Sequence, residues 1–423
     1  MKARICLITP SHLSMNPRVV KEADALTEAG YDVAVIAADF SEWGRSADAV
    51  FRGRAWRVVA SPRFGPLAPA HIRIRELVFR HTARLLVRGL GLYHPLLVRV
   101  AFHSIAPYLV SLAKQVTADL YIAHYPAALA AAAIAARFHD AQYAYDAEDF
   151  HLGDPPEGIA HETERRIIRV MEGPYLDKCA YVTAASPGIA NAYVQAYNIK
   201  RPTVILNVFP RVNAPNGPTP WGAYSPSVYW FSQTVGPDRG LECAVIAISR
   251  AKSRPHLYLR GTPAKGFIDR LMQLAKECDV SDRVHLLAPA PPDQMEHLAA
   301  LYDVGFVGET GHTPNRRIAL TNKQFTYLLA GVPIVMSDIP AHRAFAKQVG
   351  VAARLFPVEN PDGLAAAFDS LFHDRAALAE ARARAFALGQ SQFNWDCEKS
   401  LLLEQVTRVV ASCRRSSEKS RRA

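Results

Sequence analysis

The chain has 423 residues and a formal net charge of +10, and half of its residues are hydrophobic. That length exceeds one ordinary domain, suits two or three, and leaves enough apolar material for sizeable cores. The longest stretch without Asp, Glu, Lys or Arg, 212–237, holds five prolines and is broken by polar residues, and no apolar run of 18 or more residues is free of charge, which argues against a membrane-spanning helix.

The N-terminal MKARICLITPSH has only a short apolar run before polar loop residues, so it reads as a first strand and not as a secretion signal. The six cysteines are scattered with no C-x-x-C pair, which argues against a metal cluster or a disulfide framework and suits a reducing cytoplasm. The charge is uneven. Arg52 to Lys114 holds eleven Lys or Arg and one acid, Glu76, and the tail CRRSSEKSRRA is also basic. Such a run is either a solvated face or an attractor for anionic lipid head groups or phosphorylated substrates. No DNA- or RNA-binding module surrounds it, so nucleic acid is not an expected partner.

Taken in order, strand and helix signals alternate. Arg4–Ile8 reads as a strand, Asn16-Pro17 as a helix start, Gly30 as that helix's stop, and Tyr31–Ile36 as the next strand. This unit has the length of a Rossmann-type repeat. A short strand near Trp56–Ala60 precedes basic, Leu/Val-rich helical segments over 72–92 and 95–116. Alternation resumes with strands at Leu120–Ala123, Gln142–Tyr145, Ala180–Ala184 and Thr203–Leu206. Residues 208–226 hold five prolines without periodicity and read as a linker. A second series follows, with strands at Val228–Phe231, His256–Leu259, Val284–Leu287, Val304–Val307, Ile334–Ser337 and Ala352–Phe356, and helical segments to 412. Two such series predict an α/β fold of two doubly wound Rossmann-like domains facing a cleft.

Ligands in these domains bind at the carboxyl ends of strands. The polar residues there are His124, Asp146, Glu148, Ser186 and Asn207 in the first half, and Arg239, Glu309, Asn322 and Lys323 in the second. The second half carries the clearest signal, TNKQFTYLLAGVPIVMSD. It is a capped helix stopped by Gly331, with Pro333 and a buried strand behind it. Its N-terminus is either an ordinary capped start or an anion site, for which a diphosphate is the common occupant. The Asp146, Glu148, Asp149, His151 group reads better as a helix cap or a binder of sugar hydroxyls than as a metal site.

In order along the chain, KARICLITPSHLSMNPRVVKEADALTEAGYDVAVI, AYVTAASPGIANAYV, TVILNVFP, WFSQTVGPDRGLE, VHLLAPAPPDQMEHLAALYDVGF and TNKQFTYLLAGVPIVMSDIPAHR resemble the GT-B-fold glycosyltransferases of the family-four, glycogen-synthase-like group. The resemblance covers most of the chain from residue 3 to about 375. It implies an acceptor domain over 1–207, with a basic helical insertion at about 62–118. The linker 208–226 and a nucleotide-sugar domain over 227–374 follow. Helices over 375–414 cross back to the first domain, with Trp395 as packing, and a basic tail spans 415–423.

It also implies sugar transfer from a nucleotide-sugar, usually with retention and without a bound metal or other cofactor. The acceptor would be a lipid-linked, polysaccharide or other glycan, and the basic stretch suggests the cytoplasmic membrane face. By the same resemblance His124 is a catalytic candidate, and Glu309, by its place at the end of strand Val304–Val307, is the second. Arg239, Asn322, Lys323 and Thr326 would bind the donor, while Arg18, where the family's glycine-rich turn is absent, and Asp146 and Glu148 at a strand end are placed by position to meet the acceptor. The sequence departs from the family at its two glutamates, which fall on Ile318 and Thr326 here. Thr326 would make only part of a ribose contact, with Glu309 supplying the carboxylate. That departure keeps open a catalytically inactive binding or assembly protein, and the same fold also admits a sugar-nucleotide epimerase.

Overall fold

The computed structural model describes residues 2–61 and 63–422, with side chains as far as Cys413, and divides into two compact units. The side chains of the basic tail over 415–423 therefore lie outside the described residues. Unit 1 runs to Ile205 and takes in the chain from Lys399 onward; unit 2 is Leu206–Glu398.

Unit 1 opens with β1 (Arg4–Ile8), α1 (Pro17–Glu28), β2 (Asp32–Ala37), α2 (Glu42–Asp48) and β3 (Arg57–Ala60). The basic segment forms α3 (Ala70–Gly89), α4 (Pro95–Phe102) and α5 (Ala106–Gln115). Then come β4 (Leu120–His124), α6 (Pro126–His139), β5 (Gln142–Ala147), α7 (Glu162–Leu176), β6 (Val182–Ala184), α8 (Pro187–Tyr197) and β7 (Thr203–Val204). The sheet order is β3-β2-β1-β4-β5-β6-β7, and the paired strands run parallel. Ile5, Leu7, Ile8, Leu120 and Ile122 are almost wholly buried, because helices cover both faces of such a sheet.

Unit 2 begins with β8 (Ser227–Val235), α9 (Leu241–Arg250), β9 (His256–Pro263), α10 (Phe267–Glu277) and β10 (Val284–Leu287). It continues through α11 (Met295–Ala300), β11 (Val304–Val307), α12 (Pro314–Ile318), α13 (Asn322–Ala330), β12 (Ile334–Ser337) and α14 (Pro340–Val349). β13 (Ala353–Phe356), α15 (Pro361–Phe372), α16 (Arg375–Ser391) and α17 (Trp395–Arg422) complete the chain. The six strands run parallel in the order β10-β9-β8-β11-β12-β13.

The Pro-rich segment over 208–226 is built into unit 2 and is not a free linker. Arg382 donates to Thr219 O at 2.7 Å, and the Asp303 carboxylate accepts from Gly222 N–H at 2.7 Å and Ser227 N–H at 2.9 Å. α16 also stays in unit 2; the return to unit 1 is made inside α17, at Glu398–Lys399. Among the described residues no single helix is long and apolar enough to cross a membrane. α4 and α5 taken together pass that test of length and composition, but they bend by 108° and bury Val98, Ala101, Ala106 and Leu109 in unit 1.

Candidate functional site

In unit 1 the sheet order reverses between β1 and β4, and the loops leaving those strands diverge there. A cavity of about 320 Å³ opens at this point, lined among others by Ser11, Phe40, Phe102, His103, Tyr125 and His151. Tyr125 begins the α6 turn at φ 67°, a backbone region that a bulky residue adopts only when its surroundings hold it there. Two histidines on this wall have different states. Burial lowers His103 to about 4, with Arg80 adding to it. At His151 burial also opposes the charge, but Asp154, 2.9 Å from Nδ1, together with Glu172 and Asp149 outweighs it and raises the ring to about 8.

Beneath this wall lies a buried charge cluster. The Arg18 guanidinium grips Asp146 through Nε and Nη2 (2.8 Å to Oδ1) and donates from Nη1 to the Ile205 carbonyl at 2.9 Å. The His124 ring stands 3.1 Å from Glu148, 3.3 Å from Asp146 and 3.3 Å from Glu22. Burial works against the His124 charge, but Glu22, Glu148 and Asp146 outweigh it, so the ring is raised to about 10. Burial likewise opposes ionisation of Asp146, yet Arg18 and His124 hold it down at about 2. Burial raises Glu22.

This arrangement corrects three sequence expectations. Arg18, His124 and Asp146 are at most 1 % exposed, so they face one another and not a ligand. Charges without an exit to water must pair. The His124 ring is therefore turned to the carboxylates of the cluster in this structure. Glu148, with 12 % of its side chain exposed and an N–H bond from Asn16 at 2.9 Å, is the member of the cluster that reaches the surface. Ser186 caps α8, accepting from Ile189 N–H at 3.1 Å. Glu22, His124 and Asp146 offer ligand atoms within 4.8 Å of one another, a spacing a metal ion could use. The Arg18 guanidinium bound to Asp146 opposes a further cation there.

Unit 2 gathers its expected residues differently. Glu309 follows β11 and is 4 % exposed, and Ser337 of β12 donates to its backbone carbonyl at 2.6 Å. Arg239, on the loop after β8, donates from Nη1 to both Glu309 oxygens at 3.1 and 3.3 Å. Arg316 of α12 approaches the same carboxylate at 3.7 Å. Lys323, in the first turn of α13, is 6 % exposed and sets its ammonium 5.4 Å over the Trp230 ring. Burial lowers that ammonium to about 8, with Glu309 opposing the fall. Burial would raise Glu309, but Lys323, Arg239 and Arg316 outweigh it and keep the carboxyl below its usual range. Three cations around one carboxylate leave a net charge of two positive at the start of α13, where open backbone N–H groups add their own partial charge.

The setting is rigid. A Cβ on Gly305 would meet the Tyr327 ring at 2.4 Å, so the bare glycine is what lets α13 lie close on β11. A Cβ on Gly308 would meet Phe306 at 2.4 Å and the Arg239 carbonyl at 2.8 Å. Gly308→Ala is accordingly expected to destabilise the protein by about 1–3 kcal/mol through overpacking. It should also push the Arg239 turn outward; thermal midpoints with and without nucleotide check both effects.

Thr326 is a further correction. It is fully buried on α13, and its hydroxyl donates to Glu296 at 3.1 Å, so it is committed inside the unit and not offered to a ribose. Asn322 is exposed at the helix start. Sequence reasoning missed Arg316 and Glu22. The signal for Glu22 was present, because Arg18 and Glu22 stand four apart on the helix face that also buries Ala25 and Leu26.

No protein-family model and no curated protein matches the chain. Solved structures do. Anabaena Alr3699/HepE, in a crystal structure with UDP and glucose, is 16 % identical with a TM-score of 0.69, covering 96 % of this chain and 100 % of its own. Sucrose-phosphate synthase from Thermosynechococcus elongatus is 16 % identical with a TM-score of 0.70, covering 97 % and 100 %. WaaG, a glycosyltransferase involved in lipopolysaccharide biosynthesis, is 10 % identical with a TM-score of 0.60, covering 94 % and 98 %. Two Rossmann-like units of seven and six parallel strands, matched along nearly the whole chain by these proteins, give it the GT-B fold.

Proposed function

We propose that this protein is a glycosyltransferase, with unit 2 holding the nucleoside diphosphate of a nucleotide-sugar and unit 1 receiving a glycan or lipid-linked acceptor. The observation that supports it most is the cluster of Arg239, Arg316 and Lys323 around buried Glu309 at the start of α13. Breaking a glycosyl–phosphate bond leaves negative charge on the departing oxygen. Fixed positive groups held in a half-dry site stabilise that charge more in the transition state than in the ground state. Glu309 orients Arg239 and keeps three like charges together. The acceptor hydroxyl would bond to the anomeric carbon as the phosphate oxygen leaves and takes the hydroxyl's proton, which is the retaining course. The cations supply the neutralisation that a diphosphate needs, so the scheme requires no metal ion.

The acceptor is assigned to the aromatic cavity of unit 1, where ring faces and histidine N–H groups suit a sugar. HepE's complexes with UDP and UDP-glucose make uridine nucleotides the first donors to test.

A thermal-shift screen against UDP-, GDP- and dTDP-sugars tests the donor. At a hundred times Kd the true donor is expected to add about 2.7 kcal/mol of stability, and no shift from any of them would remove the reading. Lys323 sets a pH dependence. Above about 8 its ammonium loses its proton and the cluster drops from two net positive charges to one. UDP affinity measured by calorimetry is expected to fall about three- to tenfold from pH 7 to pH 9, and Lys323→Met should flatten that slope. Binding without turnover would favour a non-catalytic binding protein. An altered nucleotide-sugar formed without acceptor would favour an epimerase.

A further inference from the structure

α3 buries little and exposes much. Its inward face, Ala83 and Val87, packs against Val98, Ala101, Ile167 and Met171. At 3.6 residues per turn the opposite face carries Ile74, Leu77, Val78 and Leu85, which are 57–65 % exposed. Past the helix end, Leu90 and Leu96 continue the apolar surface at 70 % and 61 % exposure. A surface helix ordinarily turns such a stripe toward the core.

The charge on α3 is as lopsided as its packing. The helix has five arginines and one acid. That acid, Glu76, is already engaged, accepting from the Gly65 N–H at 3.3 Å and the Tyr108 hydroxyl at 2.6 Å. Arg73 and Arg75 are exposed on either flank of the stripe, and Arg88 is exposed beside Leu85 and pairs with Glu164 at 3.2 Å. Burial lowers the Arg84 guanidinium, and the neighbouring Arg80 and Arg88 lower it further, so positive charge accumulates along the helix.

We propose that α3 docks this protein on an anionic lipid bilayer. The helix lies along the surface with Ile74, Leu77, Val78 and Leu85 in the acyl boundary and its arginines at the phosphates. An aliphatic stripe bordered by guanidinium groups is the pattern of an interfacial helix. The core of a protein–protein interface is instead depleted of charge, and the exposed Phe79 of the same helix suits the acyl boundary as well as the aliphatic residues do. Anionic head groups supply the missing counter-charge. The same inserted segment places Phe102 and His103 in the cavity wall of unit 1, so docking through α3 would bring that cavity to the lipid surface, where a lipid-linked acceptor is presented. The docking itself is independent of the donor reading, because vesicle binding needs no nucleotide.

Vesicle flotation of the full chain tests it. Vesicles of phosphatidylcholine with a third phosphatidylglycerol are expected to carry the protein at least about tenfold better than phosphatidylcholine alone, with most of the gain lost at high salt. Leu77→Ser with Leu85→Ser, and separately Arg73→Ala with Arg75→Ala, should each lower flotation about tenfold. Thermal midpoints should stay unchanged, since these side chains are exposed. Equal flotation of parent and stripe variant, or none on anionic vesicles, overturns the proposal. So does a lipid-free dimer that the stripe variant splits in sedimentation velocity, because a second copy would then be the occupant.

Discussion

Arg239→Ala is expected to lower the turnover of a nucleotide-sugar about 10²- to 10³-fold, the usual cost of removing one fixed charge-stabilising donor from an active site. The folded state should lose little. Arg239 has 27 % of its side chain exposed, and Glu309 keeps Arg316 at 3.7 Å and the nearby Lys323 charge. A stability loss of about 1 kcal/mol fits a pair whose cation reaches water and whose buried carboxylate keeps two other cations. Lysine at 239 should recover part of the rate, because the charge returns without the two-oxygen hold on Glu309. Glu309→Gln separates positioning from charge. It removes the negative charge of the cluster together with the one group that holds the Lys323 ammonium up, so the net charge stays at two or above and UDP should bind at least as well, while Arg239 loses its anchor and turnover falls about tenfold. Steady-state kcat and KM with calorimetric Kd for UDP distinguish the two variants. Equal loss of binding and turnover in both would mean that Glu309 touches the nucleotide directly.

The strands were legible because strands buried in parallel sheets are short apolar runs between loop residues, and β1, β11 and β12 fall where those runs lie. The stop at Gly331 was legible for a backbone reason: it sits at φ 71°, where only glycine is at ease. α2 and α12 were missed, since seven and five residues within loops carry too little periodicity to be recognised. The break between α4 and α5 was missed too, because His103 leaves the helix at φ −147°, ψ 130° inside a continuous apolar pattern.

At the sites, residue type was legible and direction was not. Arg239, Glu309 and Lys323 were expected together, and they are together. Arg18, His124 and Asp146 were expected to face a ligand, and they face one another. What decides that is which side of α1 meets the sheet, a tertiary fact that Arg18 shares with its buried neighbours Val19 and Glu22.

Breaking this cluster should be the most costly single change in unit 1. Arg18→Met removes two bonds to Asp146 and one to the Ile205 carbonyl, and leaves a fully buried carboxylate with Thr183 and His124 as its remaining partners. Removing one partner of a buried ion pair costs about 3–5 kcal/mol, and the remaining His124 charge should hold the loss near the lower figure. The pH dependence follows from the two opposite shifts. The folded His124 pKa is raised from 6.5 to about 10, so its contribution is complete below 6.5 and is lost as pH rises through 10. The folded Asp146 pKa is lowered from 3.8 to about 2, so its contribution is complete above 3.8 and is lost as pH falls through 2. Unit 1 should therefore be steadiest between those unfolded values, from about pH 4 to about 6.5. Hydrogen exchange of the β4 and β5 amides reports this locally, which a whole-chain melt of two units would not. His124→Gln should abolish the alkaline loss of protection while leaving the acid loss in place. An unchanged alkaline limb in that variant would mean that His124 is neutral in the folded state, with the carboxylates around it sharing protons instead.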